Sequence, residues 1–371
     1  MRDSWFEYLA RKLRGCHGAH MFDAFTQLAE PAFEFIITQF LIVLTYPISP
    51  KQRIFWLYLC SSSVLAFYVF YISAKHDSAT KLTVRAFVRF LFPTEVWRRS
   101  SAWLDVRYFF FHQIFRVVIY GTFLTGVLNL TFEFITNGPS PTGGSKLTID
   151  SNIADIAIST AYMFVLIAFI DFAAYGIHYL QHKVPILWEF HKVHHSLEVM
   201  HPLSNYREHP IDNIVYAAGT GLAYGLLMGF ASNLFGYVPD MPHLLGVPLL
   251  IFAFNILGYN LRHSHVWLRW PGRWSVLFAS PAHHHIHHSY HPDHIDTNFA
   301  FLFPFWDVLF RTYHLPETNK DVRFGLSAQP TTEYKSCLGI YFIPIRSALA
   351  PAFKRLERVL KQLTIRIHRQ R

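Results

Sequence analysis

At 371 residues the chain is long enough for two or three soluble domains, yet 52% of it is hydrophobic and only 15% charged. The apolar residues come in long charge-free runs, and about 20 such residues cross a bilayer as one helix. The composition therefore excludes a soluble enzyme and predicts an all-α, polytopic membrane domain. Its net charge of +9 collects beside the apolar runs, where membrane orientation and anionic head groups use basic residues, so nucleic acid is not the partner it implies.

Residues 1–14 set Trp5, Phe6, Leu9 and Leu13 among Arg2, Arg11, Lys12 and Arg14. That pattern predicts an amphipathic helix lying on a membrane surface, not a signal peptide, within an N-terminal segment 1–30. Two spans, 31–46 and 54–73, read as a hairpin broken by Pro47 and Pro50. A basic cytosolic stretch follows, then a third span over 108–132 in which Arg116 either snorkels or marks a shifted boundary. These elements, 31–150, end in a Gly/Pro-rich loop at 137–144. The fourth span, 153–179, opens a histidine-bearing domain over 151–315. The run 213–261, with Asp240 in a Pro-flanked turn, reads as a second hairpin and gives spans five and six. The proposed outer loops 47–53, 133–152 and 238–242 hold only Lys51, Arg53 and Lys146 among basic residues. The positive-inside rule then places both termini and the histidines in the cytosol. A four-span version, with the first hairpin re-entrant, keeps the histidines on that side, so the expectation is a bundle of about four to six transmembrane helices under a cytosolic histidine-rich cap. A basic tail, 316–371, spaces Phe353, Leu356, Leu360, Leu363 and Ile367 for docking to a membrane or partner. Cys16, Cys60 and Cys337 form no CxxC pair and imply no disulfide framework.

Seventeen of the 23 histidines fall between His178 and His294. They include an HxxxH pair, His178 and His182, an HxxHH triplet, His191, His194 and His195, and a distal triplet, His284, His287 and His288. Residues three and four apart share one helix face, so each cluster aims its imidazoles together, and Pro185 supplies a tight corner between the first two. Eight imidazoles exceed what one metal takes when a position stays open, which argues for two metals. Imidazole suits Fe, Cu, Ni or Zn, and no HExxH protease motif is present. Asp171 lies seven residues before His178 in an apolar span, so it is a functional candidate, expected to hold an imidazole N–H from behind.

The order HxxxH, HxxHH, distal HxxHH resembles the fatty acid hydroxylase/sterol desaturase superfamily of integral membrane oxygenases. The resemblance covers about residues 165–313. It rests on Asp171 before His178 and His182, on 187–196 (LWEFHKVHHS), on 280–289 (SPAHHHIHHS), and on 207–210 (REHP), His263-Ser264, Asn298, Trp306-Asp307 and Phe310–Tyr313. Ala300 and Arg311 stand where that family usually has glycine, which bears on a local turn. The resemblance implies a non-haem di-iron centre that uses O2 to hydroxylate or desaturate a sterol, fatty acyl or related lipid, with zinc as a possible replacement metal. It carries the eight cluster histidines over as ligands and adds His209 and His263. It leaves His283 holding a ligand from behind, and His265, His285, His291 and His294 as neighbours or surface residues. With neither a cytochrome b5 haem motif nor a dinucleotide fingerprint in the chain, electrons are expected from a separate donor: cytochrome b5, a ferredoxin or a reductase. Two other classes fit this pattern less well. A metal-ion transporter or sensor wants ligands at mid-membrane on broken helices, and a haem electron-transfer protein has no use for HxxHH triplets. His17, His20, His76, His112, His243, His314 and His368 are expected at the surface. No ER retrieval signal stands at 365–371, which favours a bacterial inner membrane over the ER.

Overall fold

The structure is a computed structural model that describes residues 19–76, 81–141, 152–327 and 333–369; the helix expected over 1–14 lies outside them. The first 45 residues form a unit of their own. In it α1 (Ala19–Leu44) runs straight through Pro31. Its apolar part, Phe33–Leu44, is too short to cross a bilayer, so the first expected span is not found as one.

The second unit begins at Tyr46. It contains α2 (Trp56–His76), the short α3 (Val84–Leu91) and α4 (Thr94–Trp97), α5 (Ser100–Thr136), α6 (Ile153–Lys183), α7 (Pro185–His195) and α8 (Pro210–Phe235). Helices α2, α5, α6 and α8 are long and apolar enough to span a membrane. At 37 residues α5 is about 55 Å long, well beyond a hydrocarbon core. Its first turns bury Ser101, Asp105, Tyr108, His112 and Gln113 inside protein. Asn152 caps α6, its side-chain oxygen accepting from the Asp155 N–H at 2.9 Å. Pro185 then ends α6 and begins α7, with Val184 alone between them in the extended conformation that a following proline favours.

α8 lies against α5 so closely that a Cβ on Gly221 would come within 2.7 Å of the Leu124 carbonyl oxygen, and one on Gly225 within 2.5 Å of that of Leu128. Small residues four apart permit this approach between membrane helices. Beyond the left-handed cap Gly236 the chain makes a two-stranded hairpin, β1 (His243–Leu244) with β2 (Val247–Pro248), and then α9 (Leu249–Ile256), of eight residues. At about 1.5 Å per residue that helix cannot cross a bilayer, so the sixth expected span is instead a short helix packed in the protein. Its Phe254 joins Met163, Ile167, Tyr259, Leu302 and Phe303 in one buried cluster. The chain closes with α10 (Trp274–Leu277), α11 (Pro281–His287), α12 (Phe305–Leu309) and α13 (Cys337–Arg369).

The expected outer loop 47–53 is also placed differently. Arg53 donates from Nη1 to the Asn205 carbonyl at 3.4 Å and to Glu208 at 3.3 Å, and its own carbonyl accepts from Asn260 at 2.8 Å. Glu208 adjoins Arg207, whose carbonyl accepts from His194. The loop thus sits at the histidine end of the bundle, not opposite it. Arg116 does not snorkel: its Nε donates to Glu208 at 3.1 Å.

Candidate metal centre

Each histidine cluster is brought in by a different piece of the fold. The end of α6 carries His178 and His182, α7 carries His191, His194 and His195, and a 3-10 turn carries His263. α11 and its C-cap supply His284, His287 and His288. The nine residues form two groups: His178, His182, His191, His195 and His287, and His194, His263, His284 and His288. Within each group, one ring nitrogen per residue lies within 4.8 Å of all the others.

The ring nitrogens meet at unusual distances for groups that ordinarily pair a donor with an acceptor. Nε2 of His178 is 3.1 Å from Nε2 of His191, and His182 is the same distance from His195. His288 is 3.0 Å from both His194 and His284, and His263 is 2.9 Å from His284. For five of the rings the other nitrogen shows why Nε2 has no proton to share. Nδ1–H donates to the carbonyl of Phe299 from His178 (2.8 Å), of Arg207 from His194 (3.2 Å) and of Thr297 from His287 (2.8 Å). Carboxylates take the same role for His191, 3.1 Å from Asp212, and for His182, 3.4 Å from Asp296. Carbonyls and carboxylates only accept, so the proton is on Nδ1 and the bare Nε2 lone pairs converge. Two nitrogens held about 2.1 Å from one ion, roughly at right angles, are about 3 Å apart. Nε2 of His287 is buried with no hydrogen-bond partner, as an acceptor waiting for a cation would be. The residues present fit a metal. His284 differs, because Arg262 Nη2 stands 3.2 Å from its Nδ1. A guanidinium only donates, so a neutral His284 ring carries its proton on Nε2.

Burial keeps these rings uncharged. It lowers His191 to about 3 and His194 to about 4, the latter with repulsion from His191. His195, His263, His287 and His288 lie well below the usual histidine value, first from burial and then from neighbouring histidines. Neutral imidazole is the ligating form.

Of the ten expected ligands the structure brings nine together and leaves His209 out. That ring caps α8, accepting from the Ile211 N–H at 3.1 Å and donating to the Tyr341 carbonyl at 2.9 Å. Asp171 holds no imidazole. Its two oxygens accept the N–H groups of Leu302 and Phe303 at 2.8 and 2.9 Å, so it pins the segment whose Phe299 carbonyl orients His178. His283 is turned away from the ligands, accepting from the Ser280 N–H at 3.1 Å. His285 and His294 are buried, and so is His112, which bonds Tyr341 and Asn213 instead of facing outward. Asp212 and Asp296, absent from the sequence-derived set, are the carboxylates behind the ligands. Asp212 carries the signal used for Asp171, a carboxylate at the edge of an apolar run, whereas backbone carbonyls leave no trace in a sequence.

The segment 296–299 does most of the orienting for the five-histidine group: Asp296, the Thr297 carbonyl and the Phe299 carbonyl each hold one ring. Asp296 and Asn298 both adopt left-handed backbone, at φ 61° and 57°. Asn298 fixes the turn by donating to the His314 carbonyl at 2.9 Å and accepting the His314 N–H at 2.8 Å.

Two cavities reach the histidines. One of about 590 Å³ touches His178, His191, His194 and His284, and extends between α5, α6 and α8. The other, about 310 Å³, touches His182, His195, His287 and His288, beside Trp188 and Asp296.

A buried imidazole cage that could hold metal, at the end of a bundle of helices long and apolar enough to cross a membrane, defines the candidate site. Residues 163–312, less than half of the chain, match the family model described as fatty acid hydroxylase, which supports the resemblance of this part to the fatty acid hydroxylase/sterol desaturase superfamily. It is 30% identical over 162 residues to an alkylglycerol monooxygenase of Danio rerio, covering 43% of this chain and 31% of that one. It is 28% identical over 163 residues to an ornithine lipid hydroxylase of Rhizobium tropici (43% and 44%), and 27% identical over 164 residues to a Delta(7)-sterol 5(6)-desaturase of Aspergillus fumigatus (42% and 48%). The chain thus spans less than half the length of these curated relatives. No solved structure matches it.

Proposed function

We propose that this chain is a membrane-bound oxygenase that holds two non-haem irons in its nine-histidine cage and hydroxylates or desaturates a C–H bond of a lipid. The observation that carries the reading is the convergence of buried ring nitrogens in two separate groups, with Nε2 left bare on five of the rings, next to a cavity running between apolar helices. The five-histidine group holds one ion and the four-histidine group the other, with His284 the weakest donor. Iron bound there supplies the activation of O2 that no side chain in this chain provides. The protein's own contribution is orientation: carbonyls and carboxylates hold His178, His182, His191, His194 and His287 in the ligating tautomer, and burial keeps the rings neutral. α5, α6 and α8 shield the lipid from water while it lies against His178, His191 and His194.

Electrons come from a separate carrier of the cytochrome b5, ferredoxin or reductase class. The histidine end faces the cytosol, a reading supported by the segment 133–152 between α5 and α6, whose one basic residue is Lys146; a bacterial inner membrane is favoured over the ER. Zinc competes for such sites because it binds more tightly than Fe(II). The test is metal content of detergent-purified protein reconstituted with ferrous iron without oxygen. About two irons per chain are expected, falling to about one in either His194→Ala or His287→Ala, with lipid-dependent O2 consumption lost in both. A haem, or metal binding with no O2 consumption in the presence of any lipid, would remove the reading.

A further inference from the structure

The larger cavity is graded along its length. On α5 its lining runs from Arg116 through Tyr120 to Leu124 and Leu128, and on α6 from Gln181 and His178 to Ile170 and Ile167. At 1.5 Å per residue each path covers about 18–21 Å, and apart from Thr125 and Asp171, whose polar atoms bond backbone groups, it passes from polar at the histidine end to apolar at the other. At the polar end Glu208 lies between two cations, 3.3 Å from Arg53 and 3.1 Å from Arg116. Burial works against its charge, but Arg116 and Arg53 outweigh burial and hold the carboxyl well below its usual range. Asn213 donates to the same carboxylate at 2.7 Å, while its neighbour Asp212 holds His191. This ion cluster is therefore one residue removed from the support of a ligand.

The cluster has donors to spare. Among the described residues Arg116 uses only Nε, and Arg53 only Nη1, in hydrogen bonds within the chain. Tyr120 lies under the Arg116 guanidinium at 5.2 Å, and Tyr206 and Tyr259 lie 5.7 Å from that of Arg53. Both residues line the cavity, a pair of cations that one carboxylate leaves net positive.

Building on the oxygenase reading, we infer that the substrate is a lipid whose polar head presents acceptor oxygens to Arg53 and Arg116, with its tail threaded between α5, α6 and α8. The head and the histidines share one end of the cavity. The C–H bond oxidised accordingly lies at the head end of the lipid, not in mid-chain or at the tail tip.

The test uses zinc-loaded protein in detergent, where binding is read without turnover, and radiolabelled alkyl lipids of one chain length bearing a phosphate head, a glycerol head or no head. Both headed lipids are expected to bind more tightly than the headless one. Arg116→Lys keeps a cation beside Glu208 but loses the planar fork, and is expected to weaken both roughly tenfold while leaving the headless alkane unchanged. The phosphate and glycerol arms show which oxygens the cluster favours. Leu128→Trp, at the other end, should weaken long chains and spare short ones with the same head. In the iron-loaded protein, mass spectrometry of the product locates the oxidised carbon. Equal binding of headed and headless lipids, no effect of Arg116→Lys, or oxidation in mid-chain each overturns the inference. Failure of the oxygenase reading would look different: arginine-dependent binding would persist with no oxidised product at all.

Discussion

Asn298 shows how a residue that touches no ligand can set the geometry of three. Its side chain fixes the 296–299 turn through His314, and that turn presents Asp296, the Thr297 carbonyl and the Phe299 carbonyl to His182, His287 and His178. Asparagine tolerates left-handed backbone far better than alanine does. Asn298→Ala should therefore loosen the five-histidine group alone. Metal affinity there is expected to fall about 10–100-fold, the usual scale for losing a support behind a ligand, so that iron drops from about two per chain to about one. Equal loss from both groups, read by elemental analysis at limiting iron, would sink the assignment of the turn to one group. The histidine clusters were legible in the sequence because HxxxH and HxxHH spacing sets imidazoles on one helix face. Their supports were not: carbonyls carry no residue identity, and Asp171, the carboxylate that spacing singled out, accepts backbone N–H groups instead. His209 sits in a family motif, yet at the first turn of α8 its ring is used as a cap.

Among the elements, α5 and α8 set the cavity's width. Gly225 allows their backbones to meet, and a side chain there would strike the Leu128 carbonyl at 2.5 Å and Thr131 at 2.7 Å. Gly225→Leu is expected to cost about 1–3 kcal/mol as the helices are forced apart, seen as a lower thermal midpoint in detergent. Gly126→Leu, where nothing lies within 4 Å, should leave the midpoint unchanged and serves as the control. Long helices were readable from apolar runs, but their fate was not. A segment buried in protein and one buried in lipid have the same composition, which is why the run holding α9 reads as a span. In the same way Arg53 reads as an outer-loop charge until its partner Glu208, far away in sequence, is seen beside it.

For the whole molecule, acid is the condition the cage resists least. In the folded state His191, His194, His283 and His285 stay neutral down to about 3 or 4, chiefly through burial, whereas an unfolded histidine takes up its proton near 6.5. The unfolded chain therefore binds more protons between about pH 6.5 and 4, and stability falls as pH drops through that window. Asp307 works the other way. Burial raises it to about 6, so its contribution is present at low pH and is lost as pH rises through 6. Four histidines against one carboxylate give a net loss on acidification. The thermal midpoint of the metal-free protein should be lower at pH 5 than at pH 7.5, and a flat or opposite profile would mean the rings are not held neutral. One further property belongs to the molecule as a whole. The two cavities touch different histidines, so the centre is approached from two sides. A site with a single approach must be vacated before a second reagent can reach it. On the proposed reading, a slow, bulky guest and small, fast ones would reach the histidines through separate cavities.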